Sequence, residues 1–486
     1  MPNSFPERFA EVVVDHPRKK ILSDSFGEYS SEHIFNAAAL IATHILPEGK
    51  LSGKQITILA PSGLNYVASM IAVWMRGAMA VPLCVDHPSA ELEYVISDSE
   101  SSCTLCHPSL KNKLPKGVKR IEEVDLKNFK GEYIPINWDY PAPDSNALML
   151  YTSGTTGKPK GVVHTHASLL AQIECLIEAW KWNVEDSILH FLPLHHTHGI
   201  VNKLLCALYA GARCDMMEKF DAEKVWKNVC TNNYSVFMAV PTVYAKLSQQ
   251  WENSSPEEKR KCSEACSKMR LMVSGSAALQ VALLEKWKII SGYILLERYG
   301  MTETGMILSN PYDGERKPGA VGIPVPGMEV RMNSEDELEV RGKNLFKEYW
   351  KRGEETRKSF TEDEWFKTGD VVSFENGYYS IKGRSSTDII KSGGYKISAL
   401  EIENVIAAHP NVRECCVIGM PDETWGEKII AVVKLKDDST LSVDTLREFA
   451  NDQLAAYKLP SVLKIVEELP RNAMGKVMKP EVKKLL

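Results

Sequence analysis

The chain has 486 residues, 44% hydrophobic and 25% charged, a composition that excludes a disordered or fibrous protein and allows two or three domains. Its 58 Lys and Arg against 63 Asp and Glu give a net charge of −5, which argues against nonspecific nucleic-acid binding. The longest apolar run, over 66–75, is stopped by Arg76, short of a bilayer span, and eleven scattered cysteines suit a reducing compartment.

The first residues, Met1-Pro2-Asn3-Ser4-Phe5-Pro6-Glu7, carry neither an apolar core nor an Arg-rich pattern, so a cytoplasmic location is expected. The mitochondrial matrix is the alternative if a transit peptide has been removed. A strand over 55–60, a helix over 66–76 and a strand over 80–83 begin an alternation that 187–192, 234–240 and 269–273 continue. Strand then helix, many times, predicts parallel sheets covered by helices.

Within this stretch Cys103-Thr104-Leu105-Cys106-His107 has the C-x-x-C-H spacing of covalent haem attachment. It follows an acidic turn and reads as a short strand with free core thiols. Cys262 and Cys266 have no His or Cys pair nearby, so no structural zinc is expected there. From Ala320 the texture changes: 327–332 and 337–341 alternate as antiparallel strands do. After Lys382-Gly383-Arg384-Ser385-Ser386-Thr387-Asp388, a stretch suited to a hinge, an α+β pattern runs to the end. It comprises helices over 397–408 and 443–453 and strands over 414–420 and 429–436.

The densest chemistry lies in Tyr151-Thr152-Ser153-Gly154-Thr155-Thr156-Gly157-Lys158-Pro159-Lys160-Gly161. Three glycines, four Ser/Thr hydroxyls and two lysines share one loop. Glycines let backbone N–H groups converge on an anion, hydroxyls add donors, and Lys158 and Lys160 add charge. That set suits a polyphosphate, although Pro159 after Lys158 rules out a Walker A loop.

Residues 153–161 resemble the phosphate loop of the adenylate-forming superfamily, which comprises acyl-CoA synthetases, peptide-synthetase adenylation domains and luciferases. Four further segments resemble that family's motifs in the expected order. They are Leu192-Pro193-Leu194-His195-His196-Thr197-His198-Gly199, Arg298-Tyr299-Gly300-Met301-Thr302-Glu303, Trp365-Phe366-Lys367-Thr368-Gly369-Asp370, and Pro470-Arg471-Asn472-Ala473-Met474-Gly475-Lys476.

The resemblance implies a large N-terminal domain of helix-covered parallel sheets with a small antiparallel barrel-like part, over 1–384. A small mobile α+β domain, over 385–486, carries the catalytic lysine. The hinge stays open among Ser386, Thr387 and Asp388, because the family's hinge acid follows its arginine by three residues and Asp388 follows Arg384 by four. The implied reaction is attack of a carboxylate on ATP, release of pyrophosphate, and transfer of the acyl group to coenzyme A. No carrier-protein domain is implied.

Residue by residue, the resemblance assigns ATP binding to Thr152, Ser153, Gly154, Thr155, Thr156, Gly157, Lys158 and Lys160. It adds Gly275, Ser276, Ala277 and Tyr299 around adenine, Gly300 and Met301 beside them, Asp370 on the ribose and Arg384 on ribose or phosphate. Thr302 contacts phosphate and Glu303 holds Mg²⁺. Lys476 bridges carboxylate and α-phosphate, with His196 as a further catalytic residue. Ser392, Gly393, Gly394, Tyr395 and Lys396 face coenzyme A.

Arg298 bears on the choice of acid. If Tyr299 faces the nucleotide, its strand neighbour points the other way, towards the acyl group. A buried arginine without a partner is costly, and a second carboxylate on the substrate would pair with it bidentately. His196, His198 and Asn202 make the acid pocket polar. The stretch from Glu297 through Gly322 resembles malonyl-CoA synthetases, which implies malonate, with methylmalonate as a second substrate. Pairing of Arg298 with Glu297 or another acid of the protein is the alternative, and it would fit an aryl- or medium-chain-acyl-CoA ligase. A noncatalytic nucleotide-binding paralogue is a further alternative, opposed by Glu303, Asp370 and Lys476.

Overall fold

The apolar runs between residues 55 and 274 become short buried strands in two sheets. The computed structural model describes residues 2–136, 138, 140–152, 159–471 and 477–486. Gln55–Leu59, Met79–Pro82, Cys103–Cys106, Ile121–Glu123 and Asn146–Thr152 run parallel. With Lys160–Thr165 and Glu348–Tyr349 at an antiparallel margin they complete a seven-stranded sheet.

A nine-stranded sheet is built likewise. Lys20–Asp24, Arg213–Met216, Ser187–His190, Val236–Ala239, Leu271–Ser274 and Leu296–Met301 are its parallel centre. Gly27–Ser30, Gly305–Ser309 and Ile323–Pro324 are antiparallel margins.

The helix Leu64–Met75 shows why these sheets belong together. Every residue in it is buried, as an all-round apolar helix requires. Tyr66 donates its hydroxyl to Leu194 O (2.7 Å), beyond a strand of the nine-stranded sheet. Trp74 Nε1 donates to Ala147 O (2.7 Å) in the seven-stranded one. Helix His166–Trp180 starts where Thr165 and Ser168 cap each other reciprocally. Cys103–Cys106 is a fully buried strand and its thiols are free, as the sequence suggested.

Past residue 320 the alternating segments form a four-stranded antiparallel sheet of Met328–Met332, Glu337–Gly342, Phe366–Glu375 and Tyr378–Arg384. The remainder has its own core, including Ile390, Ile402, Val417, Ala431 and Leu446, over a five-stranded sheet. Several boundaries expected from sequence move by one to three residues. The helix expected over 397–408 spans Ala399–Ala407, because Ile397 pairs with Ile390 in a hairpin and Ser398 caps the helix by accepting from Glu401 N. No helix among the described residues is long and apolar enough to cross a membrane.

Candidate active site

Ser153, Gly154, Thr155, Thr156, Gly157, Lys158 and Lys476 lie outside the described residues. The ends of the glycine-rich loop are the hairpin strands, with Thr152 opposite Lys160. Lys160 is therefore the first residue of a strand. Its ammonium pairs with Glu355 and stands 5.2 Å from the centre of the Tyr349 ring.

Tyr349 in turn donates to Glu303 Oε1 (2.9 Å), so two sequence motifs meet through an aromatic residue that belongs to neither. Glu303 is buried, and no cation pairs with it among the described residues. A buried carboxylate in that condition fits a hard Mg²⁺ ion. Thr302 is held from behind. Gln172 Nε2 donates to His164 Nδ1 (3.0 Å), and the opposite nitrogen, Nε2, donates to Thr302 O (2.8 Å). Burial pushes the pKa of His164 down to about 4, so it serves as a neutral strut.

Asp370 and Arg384 face each other across neighbouring antiparallel strands. Arg384 Nε lies 3.1 Å from Asp370 Oδ1, and Tyr299 donates its hydroxyl to Oδ2. Each oxygen of Asp370 thus has a donor, and a carboxylate oxygen has a lone pair that can accept another.

Tyr299 and Arg298 point apart, as period-two alternation requires. Arg298 is 4% exposed, and its Nη2 donates to Ser276 Oγ at 3.2 Å. Ser276 also lies 3.2 Å from His198 Nδ1, which links the guanidinium to the histidine motif. Arg298 Nε, His198 Nε2 and both amide atoms of Asn202 are buried without a hydrogen-bond partner among the described residues. Burial lowers the Arg298 pKa to about 10, which leaves it cationic at neutral pH. Burial, then the Arg298 charge, holds His198 well below the usual histidine range.

Two backbone features make this possible. A Cβ on Gly275 would lie 2.6 Å from Arg298 Nε, so only glycine admits the guanidinium there. Ser276 sits at φ +71°, in the left-handed region.

Glu297 is not the partner of Arg298. It accepts from Gly319 N (3.0 Å) on the other face of the strand. Burial raises its pKa from 4.5 to about 8. A carboxyl raised in this way costs stability as pH climbs from its unfolded value towards the folded one, at most ~1.4 kcal/mol per pH unit. Glu297→Gln should therefore gain up to ~2 kcal/mol on the wild type between about pH 5.5 and pH 7.5. Urea melts at the two pH values check this, and a constant difference between variant and wild type would refute it.

A cavity of about 320 Å³ opens at the carboxyl ends of parallel strands from both sheets. Ser62, Cys84, His196, Phe220 and Val243 each follow such a strand and line it, the position where open α/β sheets bind ligands. His195, His196 and His198 share this wall, but Arg298, Glu303, Tyr299 and Asp370 do not. Burial holds the His196 pKa at about 4. Residues 392–396 form a hairpin away from the cavity, where Lys396 pairs with Glu335 and Tyr395 stacks on Tyr457 with centroids 4.3 Å apart.

Sequence reasoning missed Tyr349, His164 and Gln172, which position the Thr302–Glu303 pair. It also missed Lys203, fully buried one residue after Asn202, which donates to Leu189 O (2.8 Å) and Met238 O (2.9 Å). Lys203 ties the ends of two strands, and burial brings its pKa to about 7. A lysine inside the apolar run Ile200–Leu205 was the available signal.

Comparison with known proteins agrees with this geometry. A mitochondrial malonate–CoA ligase of Xenopus laevis is 40% identical, over 99% of this chain and 93% of its own length. The malonate–CoA ligase of Arabidopsis thaliana is 42% identical, over 90% and 79%. The ATP-bound crystal structure of MatB from Rhodopseudomonas palustris superposes with a TM-score of 0.90 at 31% identity, covering 100% of this chain and 99% of that one. A malonyl-CoA ligase complex with methylmalonyl-CoA and AMP gives 0.68 at 35% identity, covering 93% and 96%. The model for AMP-binding enzymes matches residues 9–350, and that for their C-terminal domain matches 401–476. With the first model matching most of its length and relatives at 40% identity or more covering nine tenths of it or more, the chain belongs to the AMP-binding enzyme family.

Proposed function

We propose that this protein is an AMP-forming malonate–CoA ligase that acts through malonyl-adenylate, with methylmalonate as a second substrate. The observation that carries the acid assignment is the Arg298 guanidinium, buried and cationic with no carboxylate partner among the described residues. A monocarboxylate would leave that charge stranded, whereas the distal carboxylate of a short diacid satisfies it. Ser276 and His198 orient the same pocket, and Asn202 has amide atoms to offer.

The reaction brings one anion against another, so the site acts by positioning and charge. Residues 152–160 hold the polyphosphate and Asp370 the ribose hydroxyls. Tyr299, Gly300 and Met301, with Gly275, Ser276 and Ala277, flank the base, and Arg384 steadies Asp370 or a phosphate. Glu303 would hold Mg²⁺, which when bound spreads the charge of the departing pyrophosphate. Lys476 draws the substrate carboxylate to the α-phosphate, and Thr302 donates to a phosphate oxygen. His196, neutral at the cavity wall, is a further catalytic residue of this reading.

The chain divides after Arg384 into an ATP- and acid-binding domain and a mobile one. Asp388 accepts from Arg384 N (3.0 Å) and is 2.7 Å from Lys479 Nζ, itself 3.0 Å from Glu403. Asp388 is thus tied to both sides of the boundary, and the pivot stays among Ser386, Thr387 and Asp388. Support comes from the lower TM-score against the product complex than against the ATP-bound relative, despite higher identity. Rotation would carry residues 392–396 from Glu335 to the cavity for the thioester step. The Xenopus relative's compartment favours the mitochondrial matrix over the cytoplasm, and imaging of the endogenous protein decides between them.

The deciding experiment offers ATP, Mg²⁺ and coenzyme A with malonate, methylmalonate, butyrate and benzoate, and measures thioester formation. Malonate should lead. Equal or better turnover of butyrate or benzoate would overturn the diacid reading.

A further inference from the structure

Cys84, His87 and His195 meet at the edge of the cavity, and none of the steps above uses them as a group. The thiol sulfur and one nitrogen from each imidazole all lie within 4.8 Å of one another. Cys84 and His87 form a C-x-x-H turn directly after the strand Met79–Pro82. His195 arrives from the segment after Ser187–His190, in the other sheet.

The surroundings are those of a coordination site. Burial raises the pKa of the Cys84 thiol, and backbone N–H groups of Asp86 and His87 donate to its sulfur and offset part of that rise. His87 Nδ1 stands 3.3 Å from Glu91 Oε2, a carboxylate that orients the ring as outer-shell partners of ligating histidines do. His195 Nε2 is buried with no hydrogen-bond partner among the described residues. The His87 and His195 ring centroids are 5.6 Å apart. Two imidazoles on one tetrahedral ion, with nitrogens at about 2.0–2.1 Å, would have centroids about 5 Å apart. A closing movement of about 1 Å would bring the three donors to the spacing of tetrahedral ligands. His87 lies in a half-buried turn that can supply it.

We propose that Cys84, His87 and His195 form a three-ligand Zn²⁺ site whose fourth position opens towards the cavity. One thiolate and two imidazoles suit zinc, whereas the Mg²⁺ that accompanies ATP takes oxygen ligands. On binding, the Cys84 proton leaves to solvent and the sulfur–zinc bond takes its place. The ion fixes His195, whose ring lies 4.0 Å from that of His196, and so sets the cavity wall.

The test is optical and independent of the ligase assignment. The full chain, stripped of metal and free of ATP and coenzyme A, is titrated with Co²⁺. One equivalent should give a near-ultraviolet thiolate-to-cobalt band and visible bands of tetrahedral geometry, all bleached by one equivalent of Zn²⁺. Cys84→Ser should remove the thiolate band. His87→Ala should weaken Co²⁺ binding about tenfold or more, while a urea melt of the metal-free variant that matches the metal-free wild type shows that it folds. No band in the wild type, a band that survives Cys84→Ser, or unchanged affinity in His87→Ala would each mean that the three side chains merely pack together.

Discussion

Replacing Arg298 by leucine should lower kcat/KM for malonate by roughly two to three and a half decades. The substitution leaves the distal carboxylate to be buried without a partner, and breaking a desolvated charge pair costs about 3–5 kcal/mol. A leucine is smaller and apolar, and it vacates space beside Gly275 that the guanidinium fills. Butyrate gives up no ion pair and no longer strands a buried cation, so its rate should hold or rise. The ratio between the two acids is therefore the informative quantity, since a folding defect lowers both alike. If malonate and butyrate fell in proportion, Arg298 would be a structural residue and the diacid assignment would lose its physical basis.

Lys476→Ala should lower malonate-dependent pyrophosphate release by about two to three decades, the typical cost of removing one positioned donor to a developing charge. Thioester formation from ready-made malonyl-adenylate should change little, because that step proceeds after the C-terminal domain has turned. The substitution should spare the fold. Arg471 and Val477, on either side of residues 472–476, bridge to each other, and the Lys479 ammonium is buried between Asp388 and Glu403. Equal losses in both half-reactions would show that the lysine serves binding in general.

Much of this site could be read from the chain because its motifs are local. Those at 153–161 and 192–199 come after the strands Asn146–Thr152 and Ser187–His190, where the sequence switches from an apolar run to glycine, hydroxyl, histidine and charge. Opposite directions for Arg298 and Tyr299 follow from strand periodicity, and the family resemblance that puts Tyr299 on the nucleotide then turns Arg298 towards the acid. The supports of the site are another matter. Tyr349 reaches Glu303 across 46 residues and His164 reaches Thr302 across 138. Nothing in the neighbourhood of any of the four announces the contact. The Cys84–His87 spacing was likewise mute until a second sheet delivered His195. Local pattern fails at 397–398 for a related reason: the apolar period of the helix continues into a hairpin strand, and tertiary pairing decides where the helix begins.

Ser276 carries a lesson for anyone engineering this enzyme. Its left-handed backbone is one that glycine adopts freely, whereas a residue with a Cβ bears ~1–2 kcal/mol there. A library ranked by melting temperature would enrich Ser276→Gly, and the same change would delete the hydroxyl shared by Arg298 and His198. Thermostability and acid selectivity are opposed at this one position. A Ser276→Gly protein that melted lower than its parent would dissolve that opposition; otherwise directed evolution for robustness must hold residue 276 fixed.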